Sequence, residues 1–315
     1  MTGTIMQKAI TPQVSDAFFN GQLERFGGYV IPMAATSGLE RIEDLIAVHG
    51  LGFPGSPFAP DMPHLDVVRF EATPELFVRP AIGGSDARTA EALGALWVDR
   101  EPFTGTGFVP NDLDRIVDLN WMPSHRVPFG AEIWRYTGDG QETWVARYAG
   151  VHIGWVYRDD LQAGRPAPQR PISMFGGGIA SVGGTKYVAD LMDGTHVAIV
   201  RLDPSAEQAG FVQTGSGVWA TVVPVEDVQE YYELDVRLRW AGLDLRVVDE
   251  TVAESGEAAV MAMSLQHDYR LNEGLQLVKL DADWYEAMLP KSALASAEFR
   301  QTMLPSWPGA DTTVA

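Results

Sequence analysis

The side chains best suited to moving protons here are the six histidines, at positions 49, 64, 125, 152, 196 and 267. His125 is followed by Arg126, with Glu132 close behind, which groups an imidazole, a cation and a carboxylate as an acid–base centre needs. His64 stands three residues after Asp61 in a proline-rich loop and could form a metal pair with it. A solvated loop is the plainer reading. Neither H-E-x-x-H nor H-x-H occurs, and there is no cysteine, so zinc and thiolate chemistry lack a framework. The segment FGGGIASVGGTK (175–186) offers glycines for a phosphate cradle. Gly178 and Gly183 have P-loop spacing, but Gly184-Thr185 stands where Lys-Ser/Thr is required, and a flexible linker is the plainer reading. The nucleophile elbow G-x-S-x-G and the dinucleotide fingerprint are both missing. The expectation is no metal and no cofactor.

Binding chemistry is better represented. Trp134, Trp144 and Trp155 alternate with basic residues on adjacent predicted strands, where they could stack on sugar rings, meet a partner or fill a core. The stretch from Glu226 to Glu257 is rich in carboxylates and carries Tyr231 and Tyr232. Glu226, Asp227, Glu230, Tyr231, Tyr232 and Glu233 are the candidate partner-binding group, because tyrosines beside carboxylates suit a steered protein interface. The alternative is a solvated strand face. The net charge of −19 repels phosphate backbones, and no cluster of basic residues offsets it, so nucleic acid is excluded and a basic protein is the favoured partner. No apolar run is long enough to span a membrane, and the N-terminus does not read as a secretory signal. With the absence of cysteine, this points to the cytoplasm.

These residues must be placed by strands. The 32 glycines and 20 prolines favour many turns and short strands over long helices. The sequence predicts strands at Leu65–Phe70, Glu75–Arg79, Ala131–Tyr136 and Glu142–Tyr148, the last two joined by Thr137-Gly-Asp-Gly as a hairpin. A further hairpin strand follows Ala149-Gly150. Tyr232–Trp240 and Leu243–Val248 form a hairpin at Ala241-Gly242, with Met261–Leu265 and Leu275–Leu280 beyond. Helix is expected over Thr36–His49, capped by Ser37 with Glu40 completing a capping box, over Asp86–Leu96, and briefly after Pro224. The length suits two domains. We place an N-terminal α+β domain with the first β module at 1–161 and a Pro/Gly-rich linker at 162–184. A C-terminal domain of repeated β modules then occupies 185–304, ending in a flexible tail at 305–315.

The modules look alike. The interval from Gly94 to Pro110 equals that from Gly274 to Pro290, and a shorter copy begins near Gly210. Each has a glycine, a strand, an aromatic (Phe103, Trp219, Trp284), a second strand ending in apolar-Pro, and a polar turn. ARYAGVHIGWVYRD (146–159) likewise matches RLRWAGLDLRVVDE (237–250). Chance likeness among hairpins is the alternative. The fold expected is mostly β: tandem antiparallel β-meander modules forming small barrels or sandwiches, with one or two short helices.

The segments GVWATVVPVEDVQEYYELDVRLRWAGLDLRVV (217–248), GLQLVKLDADWYEAMLP (274–290) and AEIWRYTGDGQETWVARYAG (131–150) resemble uncharacterised actinobacterial proteins built from such modules. The resemblance spans roughly residues 90–300. It implies a fold, and an association with toxin domains of the TNT-type NAD-glycohydrolase class, but brings no catalytic residues. Separately, LERFGGYVIP (23–32) resembles the Arg-Phe-Gly segment of those toxins, in which the arginine lies near the cofactor. Arg25, Phe26 and Gly27 are the matching positions. The proline-rich Glu-Gln-Arg segment that follows in that family is missing here, and a turn between two strands is the plainer reading.

Together these readings favour a non-catalytic protein-binding protein, an immunity-type or accessory protein of a bacterial toxin system. Two alternatives stay open: an enzyme acting on a nicotinamide nucleotide through the region of Arg25, and a carbohydrate-binding protein.

Overall fold

A computed structural model of the chain describes residues 3–53, 55–81, 88, 91–92, 107–109, 111–162, 172–203, 207, 209–303 and 307. The chain is mostly β, in two antiparallel sheets with short helices. The first sheet contains β1 (Ile5–Ile10), β2 (Arg25–Pro32), β3 (His64–Glu71), β4 (Arg79–Pro80), β5 (Asn120–Arg126), β6 (Glu132–Thr137), β7 (Glu142–Tyr148) and β8 (Trp155–Tyr157). Their order across the sheet is β4-β5-β2-β1-β3-β6-β7-β8. The second sheet contains β9 (Gly178–Val182), β10 (Thr185–Leu191), β11 (His196–Arg201), β12 (Val212–Gln213), β13 (Trp219–Pro224), β14 (Val228–Trp240), β15 (Leu243–Val252), β16 (Ala258–Ser264), β17 (Val278–Asp281) and β18 (Trp284–Pro290). It runs β12-β13-β11-β10-β9-β14-β15-β16-β18-β17, with β19 (Glu298–Met303) added along β14. Neither sheet closes into a barrel.

Turn chemistry explains the hairpins. Ala241 and Gly242 both take positive φ (48° and 88°), as do Gly183 and Gly184 (57° and 77°), which suits the tight turns that follow the twist of paired strands. The glycine end of the 162–184 stretch is therefore strand and turn over Gly178–Gly184. Its glycines serve close approach. A Cβ at Gly177 would stand 2.5 Å from the Arg126 guanidinium, and one at Gly178 would collide with the Tyr231 hydroxyl. Residues 163–171, most of the helix expected at Asp86–Leu96, most of the first module copy and nearly all of the 305–315 tail lie outside the described residues.

Other expectations shift. The helix expected from Thr36 begins at Ile42 and ends at Val48 (α2), because Gly38 at φ 74° breaks the chain after a 3-10 turn at Met33–Thr36. Ser37 closes the 3-10 turn through its N–H instead of starting the helix, and α2 has no side-chain cap. A helix that was not expected, α1 (Pro12–Phe19), has Thr11 as its cap and Pro12 in its first turn, a start signal that was present in the sequence. The strand expected after Gly150 is a turn that gives way to the short β8, followed by α3 (Asp159–Gln162). The helix α4 (Tyr269–Gly274) is capped by Asp268. With these, helices exceed the one or two expected. The Arg25–Pro32 segment is a full strand rather than a turn.

The largest apolar cluster draws on both sheets. Phe26, Leu65, Val67, Trp121 and Tyr148 from the first meet Val248, Met263, Ala282 and Trp284 from the second. Trp121 and Trp284 are fully buried, so the sheets share one core where they meet. Among the described residues no helix is long and apolar enough to cross a membrane.

Candidate functional site

A seam of buried ionic groups runs along the contact between the sheets. Arg25 begins β2, where the chain bulges between Phe26 and Gly28 against β5. Gly27 is needed there, since a Cβ would lie 2.7 Å from the Ser124 backbone, and Gly28 (φ 86°) lies against the Ala282 carbonyl. The Arg-Phe-Gly-Gly sequence thus has a packing cause. Arg25 Nε and Nη2 donate to Glu286 at 3.1 and 2.6 Å, and Nη1 donates to Asp249 at 2.5 Å. Glu286 also accepts the Trp284 indole N–H at 2.9 Å. Burial pulls the Arg25 guanidinium down, but Glu286 and Asp249 outweigh it and hold its pKa above the usual value. Burial wins at Asp249, whose carboxyl is pushed up despite Arg25. With two carboxylates already on the guanidinium, Arg25 presents no open charge to an anionic cofactor.

Further along the seam, β5 ends in His125 and Arg126. His125 Nε2 lies 2.5 Å from Glu233 Oε1, and Nδ1 lies 2.6 Å from the Arg126 carbonyl. Glu233 also accepts from Arg246 Nη2 at 3.3 Å. Burial pushes the Glu233 carboxyl up, yet His125, Arg246 and Arg126 hold it below its ordinary value. Arg126 donates to Asp190 at 3.0 Å and to the Ala189 carbonyl at 3.1 Å, while Asp190 accepts the Val151 N–H at 2.6 Å. At the other end of the seam, buried Lys8 pairs with Asp281 at 3.3 Å. The carboxylate partner of His125 is Glu233 and not Glu132. Glu132 sits on β6 and accepts the Trp134 indole N–H at 3.0 Å.

The structure divides the six candidate partner-binding residues. Glu226, Asp227 and Glu230 are exposed, whereas Tyr231, Tyr232 and Glu233 are buried and cannot touch a partner from these positions. β14 lies inside the sheet here, paired with β9 on one edge and β19 on the other near Tyr232, and Tyr231 packs into a core cluster with Ala180, Ala189 and Trp307. Tyr231 packs tilted on Trp307 at 5.5 Å, and its hydroxyl accepts the Leu191 N–H at 2.9 Å.

Tyr231 and Glu233 line a cleft of about 240 Å³ between the sheets, together with His125, Asp190, Glu71 and Glu75. Asp193 stands at its rim and lines it too. Its carboxylate accepts from the Thr195 hydroxyl at 2.6 Å, the Thr195 N–H at 3.0 Å and the His196 N–H at 2.9 Å. Those bonds, the Thr195 hydroxyl first, hold its pKa down to about 2. The Val225 N–H donates to the Thr195 carbonyl at 2.9 Å, which sets the Glu226–Asp227 turn beside the Asp193 turn. An acidic cleft is thereby continuous with an exposed acidic rim. Asp193 was legible as the Asp-Gly turn of a hairpin; its position beside Glu226 was not, since it depends on β11 pairing with β13.

Both ring nitrogens of His125 already face acceptors, so neither is open to a substrate. Among the described residues no three His, Asp or Glu side chains could hold a metal ion together. His64 Nε2 lies 3.9 Å from Asp66 rather than beside Asp61, which is exposed. The tryptophans are engaged as well: Arg69 covers Trp134 at 5.0 Å, Trp144 lies opposite it on β7, and Trp155 packs edge-on to Tyr148 at 5.4 Å. Compared with family models, curated proteins and solved structures, the chain matches none.

Proposed function

We propose that this chain is a non-catalytic protein-binding protein that uses the acidic rim at Asp193, Glu226 and Asp227 to engage a basic partner. An immunity-type or accessory protein of a bacterial toxin system acts in this way. The observation that carries the reading is the division of charge. The buried cations and His125 are tied to carboxylates along the seam, while the rim carboxylates face solvent on a chain of net charge −19. A field of one sign steers a partner of the other and speeds encounter. The test is affinity capture from the host extract at low salt, using the full chain and a variant with Asp193→Lys, Glu226→Lys and Asp227→Lys. A basic protein retained by the first, released by salt and not held by the second supports the reading. Equal retention by both rejects it.

A further inference from the structure

A second cleft, of about 350 Å³, lies between the loop Leu51–Phe58 and β17. Its walls are apolar: Leu51, Phe53, Phe58, Pro12 and Leu280. Leu51 and Phe58 are buried, and Phe53 is partly so. The walls are fixed. Thr11 accepts the Val14 N–H at 3.2 Å as cap of α1 and donates to the Leu280 carbonyl at 3.3 Å, tying helix to strand. Within the loop, the Ser56 N–H donates to the Phe53 carbonyl at 3.1 Å, and the Phe58 N–H donates to Ser56 Oγ at 3.2 Å. A concave apolar site of this size with few polar groups is the usual form of a small-molecule pocket.

Lys279 brings a cation to this cleft. Its Nζ lies 5.9 Å from the Phe53 ring and 5.4 Å from the Tyr285 ring. Its Nζ donates to Glu273 Oε1 at 3.4 Å, and the same oxygen accepts the Tyr285 hydroxyl at 2.9 Å, which positions the ammonium at the edge of the cleft. Asp281 also borders the cleft, but Lys8 already balances its charge at 3.3 Å.

We propose that this cleft binds a small molecule with an apolar ring body and a single anionic group. The rings lie against Phe53 and Phe58, and the anion meets Lys279. The proposal is independent of the partner-binding reading, since none of its residues belongs to the acidic rim. The test is a fluorescence titration of the full chain with two probes of the same body: 1-anilinonaphthalene-8-sulfonate, and its uncharged analogue N-phenyl-1-naphthylamine. Both are expected to saturate at one site, the sulfonate tighter by up to about fivefold, which is the reach of one exposed charge contact. Lys279→Met should remove that preference and leave the neutral probe bound as before. Gln13→Trp, an exposed rim position on α1, should weaken both probes by about tenfold or more by filling the mouth. Unchanged melting temperatures establish that both variants fold. No saturable binding, equal affinity for the two probes in the natural chain, or binding unaffected by Gln13→Trp would each overturn the proposal.

Discussion

Arg25 on β2 grips Glu286 on β18 through two N–H···O bonds, at 3.1 and 2.6 Å, and so joins the first sheet to the second at a buried point. Removing one partner of such a pair leaves its counter-charges buried and uncompensated. Arg25→Met should destabilise the chain by about 3–5 kcal/mol in urea or thermal unfolding. The double variant with Glu286→Gln should recover part of that loss, because the pair as a unit contributes less than either truncation removes. A loss below about 1 kcal/mol in Arg25→Met would show that the seam is not structural.

Glu233 gives the seam an acid dependence. Its folded-state pKa is depressed, so its contribution is present above the ordinary value of 4.5 and is lost as pH falls from there through the folded value. Glu233→Gln should lower stability at neutral pH by roughly 2–3 kcal/mol, leaving His125 and Arg246 without their carboxylate. It should also flatten the loss of stability below pH 4.5. Urea midpoints measured across that range read both effects.

His49 acts at a higher pH. Burial lowers its pKa from 6.5 to about 4. Its Nδ1 donates to the Leu45 carbonyl at 2.7 Å, and its Nε2 lies 3.4 Å from Gln7 Nε2, so the neutral ring fits the site. The unfolded chain takes up this proton first. Stability from this group is full above pH 6.5 and declines as pH falls toward 4, by on the order of 3 kcal/mol. His49→Gln should reduce the slope of stability against pH between 6.5 and 4.5. An unchanged slope would mean that His49 charges in the folded chain as readily as in the unfolded one.

The acidic rim behaves differently from the seam. Glu226 and Asp227 are exposed, so reversing their charge should move stability by no more than about 0.5 kcal/mol per site, whereas Asp193→Lys also removes the three turn bonds its carboxylate accepts and should cost more. Circular dichroism melts of the single variants check this. A larger loss at Glu226 or Asp227 would assign the turn a structural role.

Much of the fold was legible because it is local. The hairpin at Thr137–Gln141 and the one at Ala241-Gly242 declare themselves by turn residues and strand alternation. The site was legible only in pieces. His125 and Glu233 were both singled out, but they are far apart in sequence, and nothing local says that β5 and β14 bring them within 2.5 Å. Tyr231 and Tyr232 read as surface because their neighbours are charged, yet β9 and β19 cover that strand from opposite edges. Arg25 resembled a cofactor contact through its Arg-Phe-Gly segment, while its two carboxylates, Asp249 and Glu286, come from a distant part of the chain and could not be read locally.

The central claim is that the rim binds a basic partner by charge, and association kinetics test it most directly. The natural chain and the Asp193→Lys/Glu226→Lys/Asp227→Lys variant would be measured against the captured partner at low salt and at about 0.5 M salt, where screening is nearly complete. The account predicts an on-rate that falls with salt for the natural chain, and at least about tenfold weaker binding for the variant at low salt, with the variant still unfolding cooperatively well above the assay temperature. Salt-independent association, with equal affinity for both chains, would contradict it.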